Sequence, residues 1–336
     1  MRIALDAMGS DNCPVPDVAG AVLAAREFGD TILLVGDAAR IQTELAKQQT
    51  TGLKLEVIPA SDAITMEDKP SIVGKAKPNS SMHVGMNLVK EGKADAFVTA
   101  GNTGAALSIA TLFTLRRIPG VKRPALSAIV AVGKSAVILL DVGANADSKA
   151  EWLGQFALMG RIYARNSLKL DNPKVALLSN GEEEGKGNQL IHEASALLQT
   201  LPVNFVGNIE PKDLLKGEAD VVVSDGFVGN ILLKSLEAAT RTMGNMIRDE
   251  IMHDTISKVG GLLAQGAFRR VYKQVDPFEV GGAPLLGVNG VVIIGHGRSN
   301  DKAIKNAIGQ ARKAVSGRVI ESIEAGLKEL EETERR

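Results

Sequence analysis

Several apolar runs in this sequence stop in short loops of Gly, Asn, Asp and Ser. Thr99-Ala100-Gly101-Asn102-Thr103-Gly104 follows Ala96-Phe97-Val98, and Asp6-Ala7-Met8-Gly9-Ser10-Asp11 follows Ile3-Ala4-Leu5. Asp141 to Asn145, Ser179 to Asn188, Ser224 to Asn230 and Gly295 to Asn300 complete a set of six. Glycines let backbone N–H groups approach a ligand, and a helix leaving such a loop presents its positive end. The inventory suits holding an oxyanion, phosphate above all. Lys77-Pro78-Asn79-Ser80-Ser81 adds a lysine and two hydroxyls, which serve equally well as a helix N-cap.

The loops offer amides, hydroxyls, a lysine and the carboxylates Asp6, Asp141, Glu182, Glu183 and Asp225, with no obvious covalent nucleophile. That set fits a reaction in which the bound anion itself attacks while the protein positions it and stabilises charge. An acyl thioester is a suitable electrophile, because its thiolate leaves without a strong acid; a free thiol has a pKa of about 8.5. A phosphate-binding protein without catalytic activity would carry similar loops. Other chemistries lack their motifs. No G-x-G-x-x-G follows a strand, no G-x-S-x-G elbow exists, and Gly181 to Lys186 falls one residue short of a P-loop and lacks its Ser/Thr. The four histidines are scattered without ligand spacing, so no metal site is expected, and His296, between two glycines, is the one candidate for chemistry. Cys13 stands alone, which excludes an internal disulfide and a thiolate cluster. The inventory calls for no cofactor.

These residues need elements to hold them. Apolar runs at Ile3–Leu5, Thr31–Val35, Leu53–Ile58, Ala96–Thr99, Val137–Leu140, Val175–Leu178, Val203–Val206, Val221–Val223 and Val291–Ile294 alternate with helical patterns. Near-continuous apolar runs suit parallel strands buried on both faces. The expectation is a three-layer α/β/α sandwich with a mostly parallel sheet, whose six loops share one edge. From about 231 to 275 only helical periodicity appears, read as an inserted hairpin that breaks at Gly260-Gly261. Residues 1–325 read as one catalytic domain and 326–336 as a charged tail. With 39 basic and 39 acidic residues and 3% aromatics, nucleic acid is a poor partner. The N-terminus builds no signal-peptide core and no apolar run reaches about 18 residues, so a cytoplasmic location is expected.

With these residues assembled, residues 1 to about 325 resemble the bacterial PlsX family of fatty acid/phospholipid synthesis proteins. The matching segments include D-A-M-G-S-D (6–11), N-S-S-M (79–82), T-A-G-N-T-G-A (99–105), R-P-A-L (123–126) and L-L-D-V-G-A-N (139–145). G-E-E-E-G-K-G-N (181–188), V-V-V-S-D-G-F-V-G-N (221–230), G-G-A-P-L-L-G (281–287) and H-G-R-S-N (296–300) follow in order. The resemblance implies a fold related to phosphate acetyltransferases and isocitrate-type dehydrogenases, and a homodimer. It implies transfer of a fatty acyl group from acyl carrier protein to inorganic phosphate, with the acyl phosphate passing to a membrane acyltransferase, a glycerol-3-phosphate acyltransferase. The first loop departs from the family's usual G-G-D-H-A-P, reading Gly9-Ser10-Asp11-Asn12-Cys13-Pro14, so no histidine acts there. Loop chemistry and family motifs together give Ser80, Ser81, Asn102, Thr103 and Gly104 as the phosphate cradle. They give Asn145, Lys186 and Asn230 for orienting the thioester or stabilising its oxyanion, and Asp6, Asp225 and His296 for proton handling.

Two surfaces bear on partners. Between Gly104 and Leu140 there is no acid, while Arg116, Arg117, Lys122, Arg123 and Lys134 are present, a solvated loop or a dock for an acidic carrier protein. The segment Val259 to Phe268, with Leu262, Leu263 and Phe268, is apolar and flanked by Lys258, Arg269, Arg270 and Lys273. It suits a dimer interface, a shallow contact with an anionic membrane, or both. The rival readings are a phosphate acetyltransferase acting on a small acyl-CoA and a non-catalytic scaffold recruiting enzymes to the membrane.

Overall fold

The computed structural model describes residues 1–133 and 135–334, so Lys134 and the last two residues of the tail lie outside the described residues, as does the side chain of Lys273. The strands are β1 (Arg2–Asp6), β2 (Thr31–Gly36), β3 (Leu55–Pro59), β4 (Ala96–Thr99), β5 (Ala125–Val132) and β6 (Ser135–Leu140). They continue as β7 (Lys174–Leu178), β8 (Asn204–Ile209), β9 (Val221–Val223), β10 (Ala283–Leu286) and β11 (Val291–Ile294). The helices begin with α1 (Val15–Phe28), α2 (Ala38–Leu45), α3 (Pro70–Ala76), α4 (Ser81–Lys90), α5 (Thr103–Ser108), α6 (Ala150–Leu168) and α7 (Gln189–Leu198). They end with α8 (Pro211–Lys216), α9 (Gly226–Ile251), α10 (Thr255–Val275), α11 (Pro277–Val280), α12 (Asp301–Ser316) and α13 (Val319–Glu334).

One eleven-stranded sheet runs in the order β3-β2-β1-β4-β11-β10-β5-β6-β9-β7-β8. Strand residues alternate between two buried layers. Ile3, Leu5, Ile138 and Leu140 join one apolar core with α1, α6 and α12, while Ala4, Leu33, Val137 and Leu139 join another with α4 and α5. Both faces are therefore covered, which is why the strand sequences read as unbroken apolar runs. Each fully buried Leu or Ile contributes about 1.5–3 kcal/mol.

The sheet differs from the expectation in one respect that shapes the site. Within each half the neighbours are parallel, but β10 pairs antiparallel with both β11 and β5, and β5 pairs antiparallel with β6. Three reversals in succession make β6, β9, β7 and β8 run against β1, β4 and β11. The six loops therefore do not share one parallel edge. They form two sets of opposite sense that converge, because β5 is a splice: Ala125 and Leu126 pair with β10, and Ser127 to Val132 pair with β6. The end of β6, Leu140, lies opposite Ser127, and the end of β11, Ile294, lies opposite Ala283. β5 returns into β6 at Gly133, whose φ of 59° is a left-handed conformation open to glycine.

The hairpin also differs. α9 begins at Gly226, and the turn lies at Met252-His253-Asp254, where Asp254 caps α10 by accepting from the Ser257 N–H at 2.9 Å. Gly260 and Gly261 lie inside α10. A Cβ at Gly261 would stand 2.4 Å from Ile251 Cγ2, so glycine there lets the two helices approach rather than breaking one. Leu262 and Leu263 are 70% and 84% exposed along α10, while Met252 and Ile256 mark the turn. Beyond residue 325 the chain stays helical in α13, with Leu327 buried in the core. No helix among the described residues is long and apolar enough to cross a membrane.

Candidate active site

Where the two sets of strand ends converge, α5, α9 and α12 begin, capped by Asn102, Asp225 and Asn300. A cavity of about 680 Å³ lies among them. One half contributes Asp11, Gly101, Thr103, Gly104, His296 and Arg298, and the other Gly143, Ala144, Asn230, Lys234 and Glu237. Leu126, Ile129, Leu233, Val280 and Leu285 make an apolar wall from β5, α9, the end of α11 and β10.

The buried carboxylates shape the loops from behind. Asp6 accepts from the Met8 N–H at 3.0 Å and the Thr99 hydroxyl at 2.8 Å, and the Thr99 hydroxyl in turn accepts from Gly101 N–H at 3.0 Å. Burial raises its pKa, with the bonds from Thr99 and Met8 opposing. Asp141 mirrors it in the second half, taking the N–H groups of Leu126, Gly143 and Ala144 on one oxygen and Asn145 on the other. Burial raises this carboxyl too, against those same bonds. Close packing leaves no room at Gly229, where a Cβ would stand 1.9 Å from the Asp141 carbonyl oxygen.

Several residues singled out for chemistry are committed to structure. Asn102 accepts from Ala105 N–H at 3.0 Å, and its amide group donates to the carbonyls of Thr65, Met66 and Asp68. Asn145 donates to Pro124 O at 2.8 Å and Asp141 Oδ2 at 2.9 Å. Asp225 accepts from Phe227 and Val228 N–H, both at 2.9 Å. Ser80 and Ser81 are buried at the start of α4, with Ser80 Oγ 3.0 Å from His83 Nδ1. Lys186 is exposed on the loop after β7, and Arg116 and Arg117 are exposed ahead of β5; none of the three lines the cavity. Glu182, Glu210 and Asp213 form a carboxylate group, but Lys212 bridges Glu182 at 3.0 Å and Glu210 at 2.5 Å, supplying the counter-charge.

The residues brought together in the cavity are Thr103, Gly104, Asn230 and His296. Thr103 and Gly104 open α5, so by helix geometry their N–H groups face out of its first turn toward the cavity. His296 Nδ1 accepts from Arg298 N–H at 3.2 Å, which leaves the neutral ring's proton on Nε2. Burial, then the charges of Arg298 and Lys234, lower its pKa, outweighing Glu237 and Asp11. The imidazole is thus neutral at pH 7 and can donate. Sequence reading passed over Lys234, Glu237, Arg298 and Asp11. A signal existed for Lys234: it follows Asn230 by four residues on α9 and shares its face.

One sheet covered by helices on both faces, with a cleft where the strand sense reverses, is a fold shared with solved phosphotransacylases. The structure matches a phosphotransacetylase from Streptococcus pyogenes with a TM-score of 0.60 at 16% identity, covering 96% of this chain and 94% of that one. A branched-chain phosphotransacylase from Enterococcus faecalis matches with a TM-score of 0.58 at 16% identity, covering 94% and 99%. A putative 4-hydroxythreonine-4-phosphate dehydrogenase from Salmonella typhimurium shares the fold with a TM-score of 0.52 at 14% identity, covering 93% and 98%.

Sequence goes further than the fold. The chain belongs to the family described as fatty acid synthesis protein, whose model matches residues 1–322. It is 47% identical over 328 residues to the phosphate acyltransferase of Geobacter sulfurreducens, covering 96% of this chain and 94% of the relative. It is 48% identical over 327 residues to that of Citrifermentans bemidjiense, covering 96% and 93%. It is an enzyme of this phosphate acyltransferase type.

Proposed function

We propose that the enzyme transfers a fatty acyl group from acyl carrier protein to inorganic phosphate, with phosphate attacking the thioester directly. The observation that carries this is the cavity's division into an apolar wall, from Leu126 to Leu285, and a polar end at Thr103, Gly104 and His296. Its volume of about 680 Å³ falls within the ~300–1,000 Å³ of sites for sizeable ligands, far more than an acetyl group fills. The apolar wall, rather than the volume, favours a long acyl chain, because the coenzyme A of a small acyl donor is itself a large ligand.

An oxygen of hydrogen phosphate adds to the carbonyl carbon, the C–S bond breaks, and the departing thiolate takes the proton that the phosphate gives up. The products are acyl phosphate and the free carrier thiol. The α5 amides of Thr103 and Gly104 hold the phosphate, Asn230 orients the thioester, and neutral His296 donates to the developing oxyanion from Nε2. Positioning contributes ~7–11 kcal/mol to such a reaction, and one well-placed donor roughly 3–4 kcal/mol. Asp6 and Asp141 stay behind the loops and hold their shape.

The exposed Arg116 and Arg117 supply a cationic face for an acidic carrier protein. Exposed Met243, Met246, Leu262, Leu263 and Phe268 on α9 and α10 suit a homodimer and contact with an anionic membrane, near a downstream membrane acyltransferase. The test mixes purified protein with palmitoyl-acyl carrier protein, with and without phosphate, and measures free thiol and hydroxylamine-trapped acyl product. Phosphate-dependent release with stoichiometric trapping is expected. Release without phosphate would sink direct attack, and turnover of acetyl-CoA alone would point to the small-acyl rival.

A further inference from the structure

The cationic side chains lining the cavity are Lys234 and Arg298, brought to it from opposite halves of the fold. Lys234 lies on the third turn of α9, and Arg298 on the loop between β11 and α12. Lys234 Nζ is held by Glu237 Oε2 at 3.2 Å, one turn further along the same helix, and Glu237 also lines the cavity. An i,i+3 pair that is more than half exposed on its lysine side is weakly bound in water. A dianion entering the cavity offers Lys234 a stronger partner than one carboxylate, with Arg298 free to add a forked pair of donors.

We infer that Lys234 and Arg298 form a phosphate-oxyanion site across the cavity from the α5 amides, and that Glu237 is its gatekeeper, surrendering Lys234 when the anion binds. The inference deepens the proposed function and rests on that reading for the identity of the anion. Two sources present phosphate oxygens here, the inorganic phosphate that attacks, a dianion near neutral pH, and the phosphodiester of the donor's pantetheine arm, a monoanion. Glu237 gives the site a signature that a structural salt bridge lacks: the two ends of one pair act in opposite directions.

The full chain and its variants are titrated calorimetrically with inorganic phosphate, with 4′-phosphopantetheine and with pantetheine, so that no turnover is needed. Losing one charge-assisted contact weakens binding roughly tenfold to a hundredfold. For an inorganic-phosphate site, Lys234→Met and Arg298→Ala weaken phosphate binding by at least about tenfold, Lys234→Arg restores most of it, and Glu237→Gln tightens it several-fold. If the anion is the pantetheine phosphate, the same changes appear as loss of preference for 4′-phosphopantetheine over pantetheine, with phosphate binding unchanged. Unaltered binding of all three probes in folded Lys234→Met overturns the site, as does Glu237→Gln weakening the anion. Phosphate binding that follows this pattern in a protein that turns over no acyl donor refutes the acyltransfer reading and leaves the site standing.

Discussion

Asp17, on the first turn of α1, is fully buried, and its one partner among the described residues is the Ser10 hydroxyl, 2.5 Å from Oδ2. Burial first, and the nearby charge of Asp6 in addition, push its carboxyl up to about 7 against an ordinary 3.8. Between these two values the folded protein holds a proton that the unfolded chain has lost. Stability from this group therefore falls as pH rises through the window and levels off above about 7. This is the reverse of a salt-bridged aspartate. At about 1.36 kcal/mol per tenfold in proton affinity, the loss between pH 4.5 and 8 is about 3 kcal/mol. Asp17→Asn removes the titration and keeps the shape. Its amide gains an unpaired donor, costing about 1–3 kcal/mol at every pH, so the informative quantity is the change in the wild-type/variant difference. Equilibrium urea unfolding at pH 4.5 and 8 measures it. The variant is expected to gain about 3 kcal/mol relative to wild type on going to pH 8. A difference independent of pH would refute the reasoning.

Asn102→Ala removes a helix cap and the tie to residues 65–68, so a stability loss of about 2 kcal/mol is expected by denaturant unfolding; an unchanged midpoint would show those bonds to be idle. Gly229→Ala drives a methyl into the Asp141 carbonyl and should prevent accumulation of folded protein, which a native-like thermal melt of the variant would contradict. Because the His296 pKa is lowered, the acid limb of kcat/KM should lie below pH 6.5 and vanish in His296→Gln, with at least tenfold loss of rate at pH 8; a variant keeping both limb and rate removes His296 from the chemistry. Arg116→Glu with Arg117→Glu should raise the KM for acyl carrier protein several-fold at low salt and leave the phosphate KM alone, and equal effects on both would point to general damage.

The alternation of apolar runs and helical patterns is local, so the nine strands expected from it are all present, with ends shifted by at most three residues. The loops that follow them were legible for the same reason: Gly, Asn, Asp and Ser have conformational and hydrogen-bonding properties that need no distant partner. β5 and β10 were missed, since β5 (ALSAIVAV) mixes alanines and a serine among its β-branched residues and β10 (APLL) is four residues long with a proline inside it. Gly260-Gly261 misled because a glycine that ends a helix and one that admits a second helix are the same residue in a string. Asn102 and Asn145 read as ligands, yet their amides are spent on backbone carbonyls far away in sequence.

The sequence by itself thus determined most of the elements, the chemistry of the loops and the family. Only the tertiary structure decided that two sets of strand ends of opposite sense converge, and so which of many similar polar groups face one cavity. Lys234 shows why. Its spacing places it on the face of Asn230, but that face acquires a function only through the antiparallel β10–β5 seam, which sets α9 opposite His296.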